Sequence, residues 1–274
     1  MAVYSSITRF GKHEPFYLQV ARNQIYNHKH NFKFGFNPDI DDSLETVWAE
    51  GGLYSYLSAA TILKVSSSST ADTSAGTGAR TVELFGLDTN YDEINETVTL
   101  NGQTVVNTTN EFLRINRMVV RSAGTGGQNA GVIYAGTGTV TTGVPANKYA
   151  TIAIGDNQTV MALWTVPKDY TAYLLQTDIT VATTQNNKYC TVHLVARPEG
   201  EVFQIKDKFV KAESSVHQTY TVPLKFEEKT DIEVRAIGDS SGADIAISAG
   251  LDIIYIKNET LTWVHQAHMT FLWT

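Results

Sequence analysis

The chain has one cysteine in 274 residues, Cys190, so it can close no internal disulfide and build no cysteine-based metal site. From Tyr189 to Arg197, Cys190 alternates in phase with Val192, Leu194 and Ala196, which marks a buried small hydrophobe rather than a nucleophile. Charge is also scarce. Asp, Glu, Lys and Arg make up 18% of the residues, and the balance is acidic, with a net charge of -7 and a pI near 5.5. Nucleic-acid binding needs clustered Lys and Arg that release phosphate counterions, so no nucleic-acid partner is expected. The densest basic cluster, Lys206 to Lys211, is broken by Asp207 and reads as a strand edge kept soluble by charge. No run approaches the roughly eighteen apolar residues of a membrane span, and the opening Met-Ala-Val-Tyr-Ser-Ser lacks the apolar core of a secretory signal. A soluble protein without a membrane partner is expected.

Signatures of catalysis are equally thin. There is no Gly-x-Ser-x-Gly string, and the Gly-rich segment 122–131 lacks the Lys-Ser or Lys-Thr ending of a phosphate loop. Asp88 to Glu93 opens like a calcium loop, but glycine is missing at the sixth position and Thr99 stands at the twelfth, so an Asx-type turn between strands is expected. His28 and His30 would share a strand face, with His13 nearby in sequence, and His265 and His268 have helical spacing, yet neither set shows the ligands of a metal site. Asp231, Glu233 and Arg235 alternate on one strand face and read as a solvated stripe. The expectation is no catalytic residue, no metal, no cofactor and no enzymatic activity.

What the sequence does have is period-2 alternation separated by turns rich in Gly, Asn, Ser and Thr, the pattern of an all-β protein. Strands are expected at 61–65, 81–87, 112–121, 131–135, 150–154, 159–166, 171–182, 189–197, 201–206, 216–226, 231–237 and 244–256. In the strand 216–226, Val216, Gln218, Tyr220, Val222, Leu224 and Phe226 line one side, with His217, Thr219, Thr221 and Lys225 on the other. Asn101-Gly102 predicts a tight hairpin that would pair Leu100 with Gln103, Thr99 with Thr104 and Val98 with Val105. Serine- and glycine-rich residues 66–78 read as a connecting loop on the surface rather than a linker. Asp42-Ser43 before Leu44 offers the one plausible helix start. With no repeat of fixed period and many short strands, a β-sandwich of jelly-roll type is expected rather than a propeller or solenoid. The division expected is an N-terminal arm at 1–47 with strand-like pieces at 16–21 and 31–36, a single sandwich at 48–258, and a C-terminal tail at 259–274. Aromatic residues Phe16, Tyr17, Phe32, Phe34 and Phe36 in the arm, and Trp263, Phe271 and Trp273 in the tail, are the candidate interface residues.

The strings GGLYSYLSAATILKVSSSSTADTSAGTGARTVELFGLDTNYDEINETVTLNGQTVV, GQNAGVIYAGTG and VPLKFEEKTDIEVRA resemble a group of virion proteins of tailed bacteriophages, marine ones especially. The resemblance covers residues 15–256, and its GTGARTV, GLD and VTLNG strings mark the family without being functional motifs. It implies a structural protein of the virion, made in the host cytoplasm and best placed outside the capsid as a decoration or cement protein. The partners it implies are the major capsid protein and further copies of the chain, as a trimer. The alternative is a tail or head-fibre component that binds host carbohydrate through aromatic platforms such as Tyr134 and Tyr149.

Overall fold

The computed structural model describes residues 8–9, 12–183, 188–212, 214–240 and 244–259. Its elements in chain order are β1 (Thr8–Arg9), β2 (Lys12–His13), α1 (Phe16–Ala21), β3 (His28–Ile40), β4 (Glu45–Thr46), β5 (Thr61–Ser67), β6 (Ala79–Leu87), β7 (Glu93–Thr99), β8 (Val106–Phe112) and β9 (Arg114–Ala123). There follow β10 (Ile133–Thr141), β11 (Val144–Ile152), β12 (Leu163–Thr165), β13 (Tyr170–Thr183), β14 (Cys190–Arg197), β15 (Gln204–Lys211), β16 (Ser214–Phe226), β17 (Asp231–Gly238) and β18 (Ile245–Lys257). The protein is all-β, as the alternation predicts, and every pairing among these strands is antiparallel.

Beyond the β1–β2 ribbon the strands form four sheets, ordered β11-β10-β5-β8, β7-β6-β9, β16-β13-β18-β3 and β12-β17-β14-β15, with β4 also pairing β17. Four sheets match the number of blades in a small propeller, but distant strands such as β3 and β18 lie side by side, unlike the consecutive meander of a blade. Apolar side chains group the sheets in pairs. One core combines Leu174, Ile179, Leu251 and Ile253 from β13 and β18 with Val192, Leu194, Ile232 and Val234 from β14 and β17. The other combines Leu63, Val65, Ile133 and Ile152 from β5, β10 and β11 with Val82, Leu84, Ile115 and Met118 from β6 and β9. The single sandwich expected over 48–258 is therefore two sandwiches, the second inserted between β4 and β12 of the first.

Short crossing segments belong to both cores at once. Val47 and Trp48 are neighbours in sequence but point into opposite cores, as do Trp164 and Leu163, because successive side chains of an extended chain alternate sides. Gly35 makes the close approach possible, since a Cβ there would stand 2.2 Å from the Ala162 nitrogen and 2.3 Å from the Val47 oxygen.

Several local expectations need correction. The arm does not extend to residue 47, because β3 is a 13-residue member of a sheet, paired along its length with β18. Residues 16–21 are helical rather than extended: the Pro15 carbonyl accepts from the Leu18 and Gln19 amides and starts α1, which buries Gln19 and Val20. The segment after Asp42 is a strand instead of a helix start, because Glu45 and Thr46 pair with Ala236 and Arg235 of β17. Gly102, at φ 59, does turn the chain, with the Thr104 amide donating to the Asn101 carbonyl, yet no extended hairpin follows. Instead β7 pairs β6 and β8 pairs β5, so the two flanking strands go to opposite sheets of one sandwich, where core burial outweighs the local hairpin. A register shift between Leu174 and Gln176 breaks the alternation of β16, leaving Val222 81% exposed while Val216, Tyr220, Leu224 and Phe226 pack on the core.

The loop 66–78 is tightly organised rather than loose. Asp72 is fully buried, and its carboxylate accepts from the Ala79, Ala130 and Gly131 amides at 2.7, 2.8 and 2.8 Å and from the Ser67 hydroxyl at 2.6 Å. This one side chain ties the small-residue loop to the Gly-rich connection between β9 and β10. Replacing Asp72 with alanine leaves three backbone donors unpaired in the interior and is expected to cost about 3 kcal/mol or more, read by urea denaturation. A change below about 1 kcal/mol would show that the carboxylate does not organise the loop.

Candidate functional site

The face of β17 opposite its core carries Asp231, Glu233 and Arg235, the residues expected to form a solvated stripe. Asp231 and Glu233 are buried instead, to 2% and 0% exposure, and Arg235 is partly buried, because the second sandwich covers the face that a lone sandwich would show to water. Arg114 of β9 reaches across with Nε and Nη2 at 2.8 and 3.2 Å from the two Asp231 oxygens. Arg197 of β14 donates to Asp231 Oδ2 from Nε and Nη2 at 3.1 and 2.6 Å, and the Thr165 hydroxyl donates to Oδ1 at 2.6 Å. Glu233 accepts two bonds from Arg235, at 3.0 and 2.9 Å, one from the Tyr56 hydroxyl at 3.2 Å and one from the Thr46 hydroxyl.

Aromatic rings close the cluster. Arg114 and Arg197 lie 5.0 and 4.6 Å from the Tyr56 ring, and Arg197 and Arg235 lie 4.6 and 4.1 Å from Phe203, within cation–π range. Burial, reinforced by the Glu233 and Asp231 charges, raises the Tyr56 phenol well above its ordinary value. Beside the cluster is an open cleft of ≈ 640 Å³ lined by Tyr56, Tyr91, Arg114, Arg197 and Glu199. Each oxygen of Asp231 and Glu233 accepts hydrogen bonds from cationic or hydroxyl donors, and through Arg114 the Asp231 carboxylate links the two sandwiches.

The sequence-selected interface residues fall in one region where they are described. Phe32, Phe34 and Phe36 alternate along β3 on the outer face of its sheet, with Phe32 and Phe34 stacked at 6.1 Å and 26°. Phe16 and Tyr17 stand on α1, edge to face at 5.4 Å, and Phe16 also meets the His28 ring at 6.0 Å. Phe32 is 49%, Phe36 40% and Tyr17 63% exposed, and Leu18 of α1 extends the patch. Trp263, Phe271 and Trp273, together with His265 and His268, lie outside the described residues, as does the side chain of His13. His28 Nδ1 is 2.8 Å from the Tyr26 carbonyl and His30 Nε2 is 2.6 Å from Asp252, so the two imidazoles turn to different partners; no group of three metal-ligating side chains occurs among the described residues. Tyr134 is buried and Tyr149 packs against the second core, its carbonyl accepting from the Tyr54 hydroxyl at 2.9 Å, which leaves no paired aromatic platform there. Cys190 is buried, and burial with the Asp239 charge pushes its thiol up to about 11. Asp88 does form a turn between β6 and β7, its Oδ1 accepting from the Asn90 and Asp92 amides at 2.8 and 2.9 Å.

No protein-family model matches the chain, and no curated protein matches it. Among solved structures, one of infectious bursal disease virus, Gt strain, is similar at 10% identity, covering 89% of this chain and 78% of that chain, with a TM-score of 0.22. That likeness is too distant to establish a shared fold.

Removing one partner of a buried ion pair strands the other charge, so Asp231→Ala is expected to destabilise the protein by about 3–5 kcal/mol in urea denaturation. Arg235→Ala strands the fully buried Glu233 carboxylate and is expected to cost a similar amount. Small effects of both would show that the cluster does not hold the sandwiches together.

Proposed function

We propose that this chain is a structural protein of a tailed-bacteriophage virion, acting as a decoration or cement protein on the outside of the capsid. The observation that carries the reading is the aromatic ladder Phe32–Phe34–Phe36, with Phe32 and Phe36 exposed and Phe34 half-buried between them, extended by Phe16, Tyr17 and Leu18 on the outer face of an otherwise well-packed sheet. Contiguous apolar surface of this kind marks a protein contact, and rigid rings bury area there with little loss of side-chain entropy.

The first sandwich supports the reading through its topology. Numbering β3, β12, β13, β14, β15, β16, β17 and β18 from one to eight, the sheets run 1-8-3-6 and 2-7-4-5, the order of a jelly roll. That architecture serves viral capsids and lectins alike. It makes a particle role reasonable, while the phage assignment comes from the family resemblance of residues 15–256.

The mechanism is adhesive rather than catalytic. Each bound copy would remove apolar surface of the ladder from water, worth roughly 25 cal/mol per Å², and many copies would together raise the resistance of the shell to rupture. The major capsid protein is the proposed partner, with copies of the chain meeting as trimers at gaps between its subunits.

The double variant Phe32→Ser/Phe36→Ser is expected to fold with an unchanged far-UV spectrum and to lose decoration of empty shells in a cosedimentation assay. Decoration at wild-type affinity by this variant would contradict the role given to the ladder. Mass spectrometry of purified virions should find a copy number in the hundreds per particle, and a few dozen or fewer would contradict the capsid placement.

A further inference from the structure

A second concave site, of ≈ 430 Å³, lies where the free edge of β3 meets the β7-β6-β9 sheet of the other sandwich. Its apolar lining includes Phe32, Phe34, Phe85, Trp164 and Tyr255, and Asn31 and Gln158 contribute amides. Two cations are placed in it, and the carboxylate of the lining, Glu93, bonds neither of them. Lys33 is only 6% exposed, and its ammonium donates to the Asn116 carbonyl; Arg117, exposed at the mouth, donates to Gln158 Oε1 at 2.6 Å. Among the described residues, neither forms a salt bridge. The nearby carboxylates are committed elsewhere: Glu93 pairs with Lys29 and accepts from the Tyr255 hydroxyl at 3.2 Å, and Asp252 pairs with His30 at 2.6 Å.

A buried ammonium held beside a guanidinium, with no counter-charge, is costly to keep in a folded protein. In a cleft of small-molecule size it is the arrangement expected when the missing charge arrives with a ligand. We infer that this cleft binds a small organic carboxylate of the acidic-sugar class, its carboxylate between Lys33 and Arg117, its ring against the aromatic side chains and its hydroxyls at the amides. The aromatic surface and the amides favour a hydroxylated ring over a bare inorganic anion, which would leave both unused.

The state of Lys33 sets the pH dependence. Burial, with a smaller contribution from Arg117, lowers its ammonium to about 7. Above that value the free protein holds Lys33 neutral, so binding an anion must draw in a proton, and affinity falls as pH rises through 7. The other titratable groups lining the cleft are Arg117 from β9, Glu93 from β7, His30 from β3 and Tyr255 from β18; Glu93 bonds Lys29 and the Tyr255 hydroxyl, and His30 bonds Asp252.

The test is calorimetric titration of the full chain with D-glucuronate, D-glucose and inorganic phosphate at matched ionic strength, at pH 6 and pH 8.5, with Arg117→Gln and Lys33→Met beside the wild type. Glucuronate is expected to bind, more tightly at pH 6 and with proton uptake at pH 8.5, while glucose gives no heat. Exposed Arg117→Gln should weaken binding by about tenfold or more without loss of folding. Lys33→Met should abolish binding and raise the melting temperature, because methionine fills the site without a buried charge. Absence of glucuronate binding to the wild type, binding unaffected by Arg117→Gln, or phosphate binding as tightly as glucuronate would each overturn the inference.

Discussion

The structure depends on a buried carboxylate shared between two bodies. Asp231 belongs to a strand of one sandwich, and the guanidinium that grips it with two bonds, that of Arg114, belongs to a strand of the other. An ionised group can leave water only if its lone pairs are met, and here Arg114, Arg197 and Thr165 meet them all. The same donors cannot be found by either sandwich alone. The contact therefore fixes one mutual arrangement, whereas an apolar joint of similar area would tolerate sliding.

That arrangement explains several features that are otherwise unrelated. Val47 with Trp48, and Leu163 with Trp164, can serve two cores only because the sandwiches stand one strand apart at this joint. Gly35 is there because a side chain would strike the backbone of the crossing segments. The cleft beside Lys33 is the unfilled edge of the same joint, where the bodies diverge and leave room for a ligand. The outer sheet face keeps its aromatic ladder uncovered, and Phe32 and Phe34 of that ladder also reach the lip of the cleft.

Much of the strand pattern was legible in the sequence, because alternation is imposed by burial on one face and survives without knowledge of the partner sheet. The runs 171–182, 189–197, 231–237 and 244–256 match β13, β14, β17 and β18 closely, and Cys190 is as buried as its phase implies. What was hidden is what covers the other face. Asp231, Glu233 and Arg235 have the polar spacing of a wet stripe, and nothing local shows that a second sandwich, inserted some hundred residues wide between β4 and β12, lies over them. The Asn101-Gly102 turn shows the same limit: it forms, but the partner sheets draw its strands apart. Lys33 carried no signal either, since it lies between Phe32 and Phe34 and resembles an ordinary polar position on an edge strand.

Native-state hydrogen exchange, followed for amides of both cores in the wild type and in Arg114→Met, tests the shared carboxylate most directly. If the joint couples the sandwiches, the slowest amides of the two cores exchange with one common opening free energy in the wild type, and the variant splits them into two distinct values. Two separate values already in the wild type, unchanged by Arg114→Met, would contradict the account.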